Sequence, residues 1–236
     1  MYTVVLKPGL VDVVLPNGNR YQGGQTAMLS DSDFGLMAQT TITALFSSVT
    51  QSSGSGGGSP GQNTPSIQGA AAWCYDPALA VNSTQLTAGK LYLVRVDIGA
   101  DVNATKIHWW VAGVGFAPTT NQNWVGLYSS AGTRLASTNV DSSFGSATLK
   151  TTTIPATALA AKSFYWVALL FNASGTPTLT RASGWNGVDT AANLGLTAAT
   201  LRFATNGTSQ TALPASITPA SNVGTDIAGP WVAVGE

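Results

Sequence analysis

From Gln51 to Pro65 the chain reads Gln-Ser-Ser-Gly-Ser-Gly-Gly-Gly-Ser-Pro-Gly-Gln-Asn-Thr-Pro. Prolines apart, this stretch has no apolar side chain whose burial could offset its ordering entropy, so it predicts a flexible tether spanning roughly 20 Å. Folding must then occur separately on either side, in a small module over 1–50 and a large one over 66–236. The small module can bury only about 60% of its unfolded surface, which makes it marginal alone and predicts that it completes its core against a partner.

The secondary structure is legible from what the polar surface is made of. Only 8% of residues are charged, against about 25% in an ordinary domain, and Glu236 is the only glutamate. A surface built from Thr, Ser and Asn lacks the strong surface helix formers and favours strands and turns, so the chain is expected to be mainly β. In the small module Tyr2–Leu6 and Val11–Leu15 are β-prone runs punctuated by Pro8-Gly9 and Pro16-Asn17-Gly18-Asn19, which reads as a β-meander. Ser30-Asp-Ser-Asp33 ahead of Phe34, Leu36 and Met37 is a helix start, so one or two short helices are expected before Leu45-Phe46.

The large module repeats β-rich runs separated by breakers. The runs are Lys90–Ile98, Lys106–Val114, Asn123–Tyr128, Arg134–Val140, Thr148–Thr153, Phe164–Asn172, Thr176–Arg181, Ala199–Ala204 and Pro230–Val234. Ser129-Ser-Ala-Gly132 is a hairpin connection, and Thr87-Ala-Gly89 and Asn172-Ala-Ser-Gly175 are turns of the same kind. Ile107, Trp109 and Val111 alternate with His108, Trp110 and Ala112, the period of a half-buried strand. Many short strands at this spacing predict a jelly-roll-like β-sandwich.

Charge and chemistry exclude several function classes. Ten basic and ten acidic side chains give a formal net charge of zero, without the basic surface that nucleic-acid binding needs. Apolar runs are interrupted well before the roughly 20 residues of a membrane span, and Met1–Leu6 leads into Lys7-Pro8-Gly9 rather than a signal-peptide core, so a soluble chain made in the cytoplasm is expected. The single cysteine, Cys74, reads as a buried structural thiol between Trp73 and Tyr75. Asp76, Asp97, Asp101, Asp141, Asp189 and Asp226 fall mostly in turns, where Asp serves the backbone, and no carboxylate pair for glycoside hydrolysis stands out. His108 is the only histidine and reads as an ordinary strand residue; no Gly-x-Ser-x-Gly elbow accompanies it. Gly54–Gly58 lacks the ending of a phosphate loop. The triplets at Asn82, Asn103, Asn172 and Asn206 match a glycosylation acceptor pattern but read as turns. No catalytic group, metal site or cofactor is expected, and the chain reads as non-enzymatic. Seven Trp and six Tyr could instead present aromatic platforms to sugar rings; Trp110, Trp124 and Trp185 are the candidates, with Trp185 in the loop-like Ser183-Gly-Trp-Asn-Gly187.

Beyond these patterns, Tyr2-Thr-Val-Val-Leu-Lys-Pro-Gly, Val11-Asp-Val-Val-Leu-Pro-Asn-Gly, Gly23-Gly-Gln-Thr and Leu29-Ser-Asp-Ser-Asp-Phe34 resemble the N-terminal module of head decoration and head-fibre proteins from tailed bacteriophages of actinobacteria. Leu86–Arg95, Gly126–Gly132, Tyr165–Leu170, Leu201–Thr205 and Leu213–Ile217 are similar to a β-sandwich domain of decoration and minor tail proteins of such phages. The resemblance implies a virion structural protein on the outer capsid surface: an anchor over 1–50 that binds the major capsid protein, a tether over 51–65, and an outward sandwich over 66–236. A homo-oligomer is implied, with a trimer as first expectation. Val4, Leu6, Val11, Val13, Leu15, Tyr21 and Phe34 are then the side chains expected to build the anchor's core or its contact with the shell. The alternative is a minor tail or receptor-binding protein that recognises a host-surface glycan through Trp110 or Trp185.

Overall fold

The computed structural model describes residues 2–51, 63–80, 82–114, 117–175, 177–181, 192–224 and 229–236. The chain is mainly β and separates into two compact units, Met1–Gly57 and Gly58–Glu236.

The first unit contains β1 (Tyr2–Leu6), β2 (Val13–Val14), β3 (Arg20–Tyr21), β4 (Thr26–Leu29), α1 (Asp31–Gly35), α2 (Gln39–Leu45) and β5 (Phe46–Gln51). Its sheet has the order β4-β1-β5, antiparallel throughout, while β2 and β3 form a separate hairpin. This corrects the expected meander, in which β2 would lie beside β1. The chain leaving β1 meets Gly23-Gly24 instead: the Gly23 amide donates to the Leu10 carbonyl at 2.7 Å and that of Gly24 to the Leu6 carbonyl at 3.0 Å. A Cβ on Gly23 would lie 2.6 Å from the Lys7 carbonyl oxygen, so only glycine permits this approach. The two-stranded hairpin is thereby set apart, and β4 takes the edge of β1. Ser30 caps α1, its hydroxyl accepting the Asp33 amide at 3.0 Å. Val4, Leu6, Leu15, Ala27, Leu29 and Phe46 form the unit's own core.

The second unit begins with β6 (Ala72–Trp73), β7 (Asn82–Gln85), β8 (Tyr92–Ile98), β9 (Val102–Gly113), β10 (Ala117–Pro118) and β11 (Trp124–Ser129). It continues with β12 (Arg134–Asn139), β13 (Thr148–Leu159), β14 (Ser163–Leu170), β15 (Ala173–Ser174), β16 (Thr178–Arg181), β17 (Phe203–Thr205) and β18 (Val232–Gly235). One sheet has the order β12-β11-β14-β8-β17. In the other, β9 carries β13 along one edge; along the opposite edge lie β18, at Lys106–Trp109, and β16, at Val111 and Gly113. β7 follows β16, and β6 follows β18. The pairings β7-β16-β9-β13 and β8-β14-β11-β12, with the chain passing between sheets, are those of a double Greek key, and so the sandwich is a jelly roll. β13 runs past its expected end at Thr153. The register shifts between Thr153 and Thr157, around Pro155, which has no N–H to give the ladder.

Side chains from both sheets meet between them: Val96 of β8, Leu127 of β11 and Val167 of β14 face Ile107 and Trp109 of β9 and Val234 of β18, all without exposed surface. The Trp109 indole packs on Phe171 at 5.4 Å between centroids, and its N–H donates to the Thr152 hydroxyl at 2.9 Å. The five-stranded sheet also has a covered outer face. There Leu93, Tyr128, Trp166 and Leu170 pack beneath Leu201, Leu213 and Ile217, from the chain that follows β16. Part of that cover differs from the expected strand at Ala199–Ala204: Ala198–Thr200 is a 3-10 turn closed by a Thr197–Thr200 capping box, and strand geometry begins at Phe203.

Candidate functional site

Strand β9 lies in the middle of its sheet, and its alternation gives it two different faces. Ile107, Trp109 and Val111 point inward and are wholly buried. Lys106, His108 and Trp110 therefore lie on the outer face, where Trp110 is 41% exposed. Direct cross-strand partners share a face, so Leu149, Thr151 and Thr153 of β13 stand beside Trp110, His108 and Lys106 respectively. Leu149, 44% exposed, continues the apolar surface of Trp110. On the other side of β9, Ala233 faces His108 and Gly235 faces Lys106, with half-buried Trp73 beyond Ala233. The result is an open platform: one indole and one leucine, edged by hydroxyls and an imidazole.

His108 is held from both sides. Its Nδ1 is 3.0 Å from the Thr151 hydroxyl. Its Nε2 edge sits over Gly235, where an added Cβ would approach to 2.9 Å. Burial, and then the neighbouring Lys106 charge, lower the imidazole's affinity for a proton, so the ring is neutral at pH 7 and carries one donor and one acceptor. The Lys106 ammonium donates to the Glu236 carbonyl. No carboxylate occupies the outward positions named here, and among the described residues no group of three His, Cys, Asp or Glu side chains could hold a metal. The platform can stack an apolar ring face and exchange hydrogen bonds with hydroxyls.

The other aromatic candidates divide. Trp124 packs against the covered face of the five-stranded sheet, and its indole N–H donates to the Asn121 and Thr211 carbonyls at 3.2 and 3.1 Å. Trp185 lies outside the described residues, as do Asp189, Asp226 and Gly54–Gly58. The remaining aspartates of the second unit serve the backbone or a cation. Asp76 caps a 3-10 turn through the Ala78 amide, Asp97 pairs with Arg95, Asp101 accepts the Ala161 amide, and Asp141 accepts from Asn121 and Asn123. Cys74 is buried, its thiol pushed up to about 12 chiefly by desolvation, and its sulfur accepts the Val232 amide at 3.2 Å. Three of the Asn triplets read as turns contain strand instead: Asn82 opens β7, Asn103 lies in β9, and Ala173–Ser174 of the Asn172 triplet form β15 beside β10, because each follows the ladder of a neighbour.

In the first unit the expected contact residues fall into two groups. Val4, Leu6 and Leu15 have at most 2% exposure and are core, while Val13, Tyr21 and Phe34 pack partly buried against them. Phe34 also stacks on Tyr2 at 3.9 Å between centroids. Only Val11 is open, at 78% exposure, because the chain around it turns away from the sheet before β2. Among the described residues, the other large apolar side chains exposed in this unit are Val14, Met28, Leu36 and Val49, which hydrophobic patterning did not separate from the core. Among the described residues no helix is long and apolar enough to cross a membrane. No protein family's sequence profile matches the chain, and no curated protein shows significant similarity to it.

Proposed function

We propose that the chain is a virion structural protein that decorates the outer surface of a phage capsid, with the first unit as anchor and the jelly roll displayed outward. The observation that carries this reading is the division into two compact units of very unequal size, each with a core of its own. The small unit keeps Val11, Val14, Met28 and Leu36 exposed, side chains that would gain by burial against the major capsid protein. The role needs no reaction and no cofactor. Symmetric capsid sites would engage several anchors of a homo-oligomer at once, a trimer being the first expectation, and turn modest single-site affinity into firm attachment. A ligand bound only to the intact lattice also stabilises it.

Co-sedimentation with purified heads lacking the protein tests the proposal. The full-length chain is expected to pellet with heads, a 66–236 truncation to stay in the supernatant, and Val11→Asp to weaken pelleting. If full-length protein does not pellet, the capsid assignment fails. Attachment as a minor tail or receptor-binding protein is then the reading to test, and the exposure of Trp110 favours it.

A further inference from the structure

We propose that the outer face of β9 and β13, centred on Trp110, is a binding site for one pyranose ring of a neutral glycan. The inference concerns the jelly roll alone and goes beyond the capsid reading; it does not depend on where the first unit attaches.

The argument begins with the cost of the arrangement. Trp110 and Leu149 are direct cross-strand partners, each more than two-fifths exposed, in a sheet whose inward β9 positions 107, 109 and 111 are fully buried. Water is kept against contiguous apolar surface there, and a ligand that covers it gains free energy. Two side chains are too few for the core of a standard protein interface, which buries about 800 Å² per partner. They match a ligand about one ring across.

The rim then selects the chemistry. A ring over Trp110 and Leu149 would have at its edge the Thr151 hydroxyl and the imidazole of His108, with Thr153 and Lys106 next along the two strands. The Thr151 hydroxyl and His108 Nδ1 bond each other, and whichever of them donates, the His108 Nε2 and the remaining capacity of the Thr151 oxygen are left, so that with Thr153 the set still mixes donors and acceptors. A pyranose has the complementary form, with C–H bonds on one face and hydroxyls around the edge. Its slightly positive C–H groups suit the electron-rich face of an indole. The charged group among these outward positions, Lys106, lies two same-face steps along β9 from Trp110, roughly 13 Å at the rise of a strand, and its ammonium donates to the Glu236 carbonyl, so the edge of a ring over Trp110 carries no charge that would favour a uronic acid or a phosphosugar over a neutral sugar.

The platform is also pre-ordered. β9 is paired on both edges, and His108 is fixed between Thr151 and Gly235, so little side-chain freedom is lost on binding. An open site of this kind binds a monosaccharide weakly and gains strength when several copies meet a repeating glycan.

Saturation-transfer NMR on the full-length protein tests the site, with methyl β-glycosides of glucose, galactose, mannose and N-acetylglucosamine and with methyl glucuronide as the charged comparison. At least one neutral glycoside is expected to show saturable transfer, strongest at the C–H protons of one ring face. Trp110→Ala is expected to weaken it by about tenfold or more, Trp110→Phe to restore most of the loss, and Thr151→Val to weaken it by about threefold. Unchanged circular dichroism and melting temperature show that each variant is folded. The proposal is overturned if no neutral glycoside saturates, if Trp110→Ala binds as the parent does, or if the glucuronide binds best. Trp110→Ala should still pellet with heads as the parent does, so failure of the sugar site and failure of the capsid assignment are told apart.

Discussion

At the residue scale, Asn123 shows how a chain with few charges fixes its loops. It has no exposed surface, its amide donates to the Thr119 carbonyl and the Asp141 carboxylate at 2.9 Å each, and its carbonyl accepts the Asn172 amide at 2.8 Å. Asn123→Ala empties a fully buried site, removes two hydrogen bonds and leaves the part-buried Asn172 amide without its partner, and is expected to cost about 2–3 kcal/mol, measured by urea unfolding. Asp141 belongs to the same network. Burial acts to raise its pKa, but hydrogen bonds from the Asn123 side chain and the Asn121 amide outweigh it and hold the carboxyl below its ordinary value of 3.8. A depressed folded-state pKa contributes stability above the unfolded value, and that contribution is lost as pH falls toward the folded one. The stability difference between parent and Asp141→Asn should therefore be full at pH 7 and pH 5 and shrink below about pH 4. A difference that does not change with pH would mean that these hydrogen bonds do not distinguish the two protonation states. The alternation of 107–112 made Trp110 legible as a residue facing away from Trp109. Its partners Leu149 and Thr151 were not legible, because the register that brings β13 beside β9 is set across the fold rather than within either run.

At the scale of the element, strands with one open face could be read from period two, and strands covered on both sides could not. β8 illustrates the second case. Val94, Val96 and Ile98 enter the inner core while Leu91 and Leu93, flanking its start, enter the outer cluster, so its apolar residues are nearly continuous. Outside the three residues of β17, the cover from Leu201 to Ile217 has no period to read, since it is irregular chain that contributes one side chain at a time. Gly126 of β11 marks how closely it lies: an added Cβ would be 2.4 Å from Leu213 Cδ1 and 2.7 Å from the Ala136 carbonyl oxygen. Gly126→Ala is thus expected to displace the cover and destabilise the second unit by about 2 kcal/mol, through overpacking rather than backbone strain. Combined with Leu213→Ala, the total loss in thermal melts should fall short of the sum of the two single losses, because the closest clash is with that side chain. Full additivity of the two costs would count against this account.

At the scale of the whole molecule, the described core residues never mix between units: one cluster draws only on residues 4–46, and the other two only on residues 72–234. The tether composition gave the expectation of two modules, but it could not show that the small unit closes a core of its own, because a pattern of apolar residues does not say which of them meet. Separate cores imply separate cooperative transitions. Calorimetry of the full chain should resolve two, with the smaller unit melting first because it buries less apolar surface per residue. Leu6→Ala removes a fully buried side chain at a cost of about 2–5 kcal/mol, enough to lower the first transition by on the order of 10 °C or abolish it, and should leave the second in place. Ile107→Ala should do the reverse, with a smaller shift in degrees, since a larger unit spreads the same free energy over a larger unfolding entropy. If either substitution moves both transitions together, the two cores are thermodynamically coupled. The proposed arrangement, in which the first unit holds the shell while the jelly roll unfolds and refolds on its own, would then be ruled out.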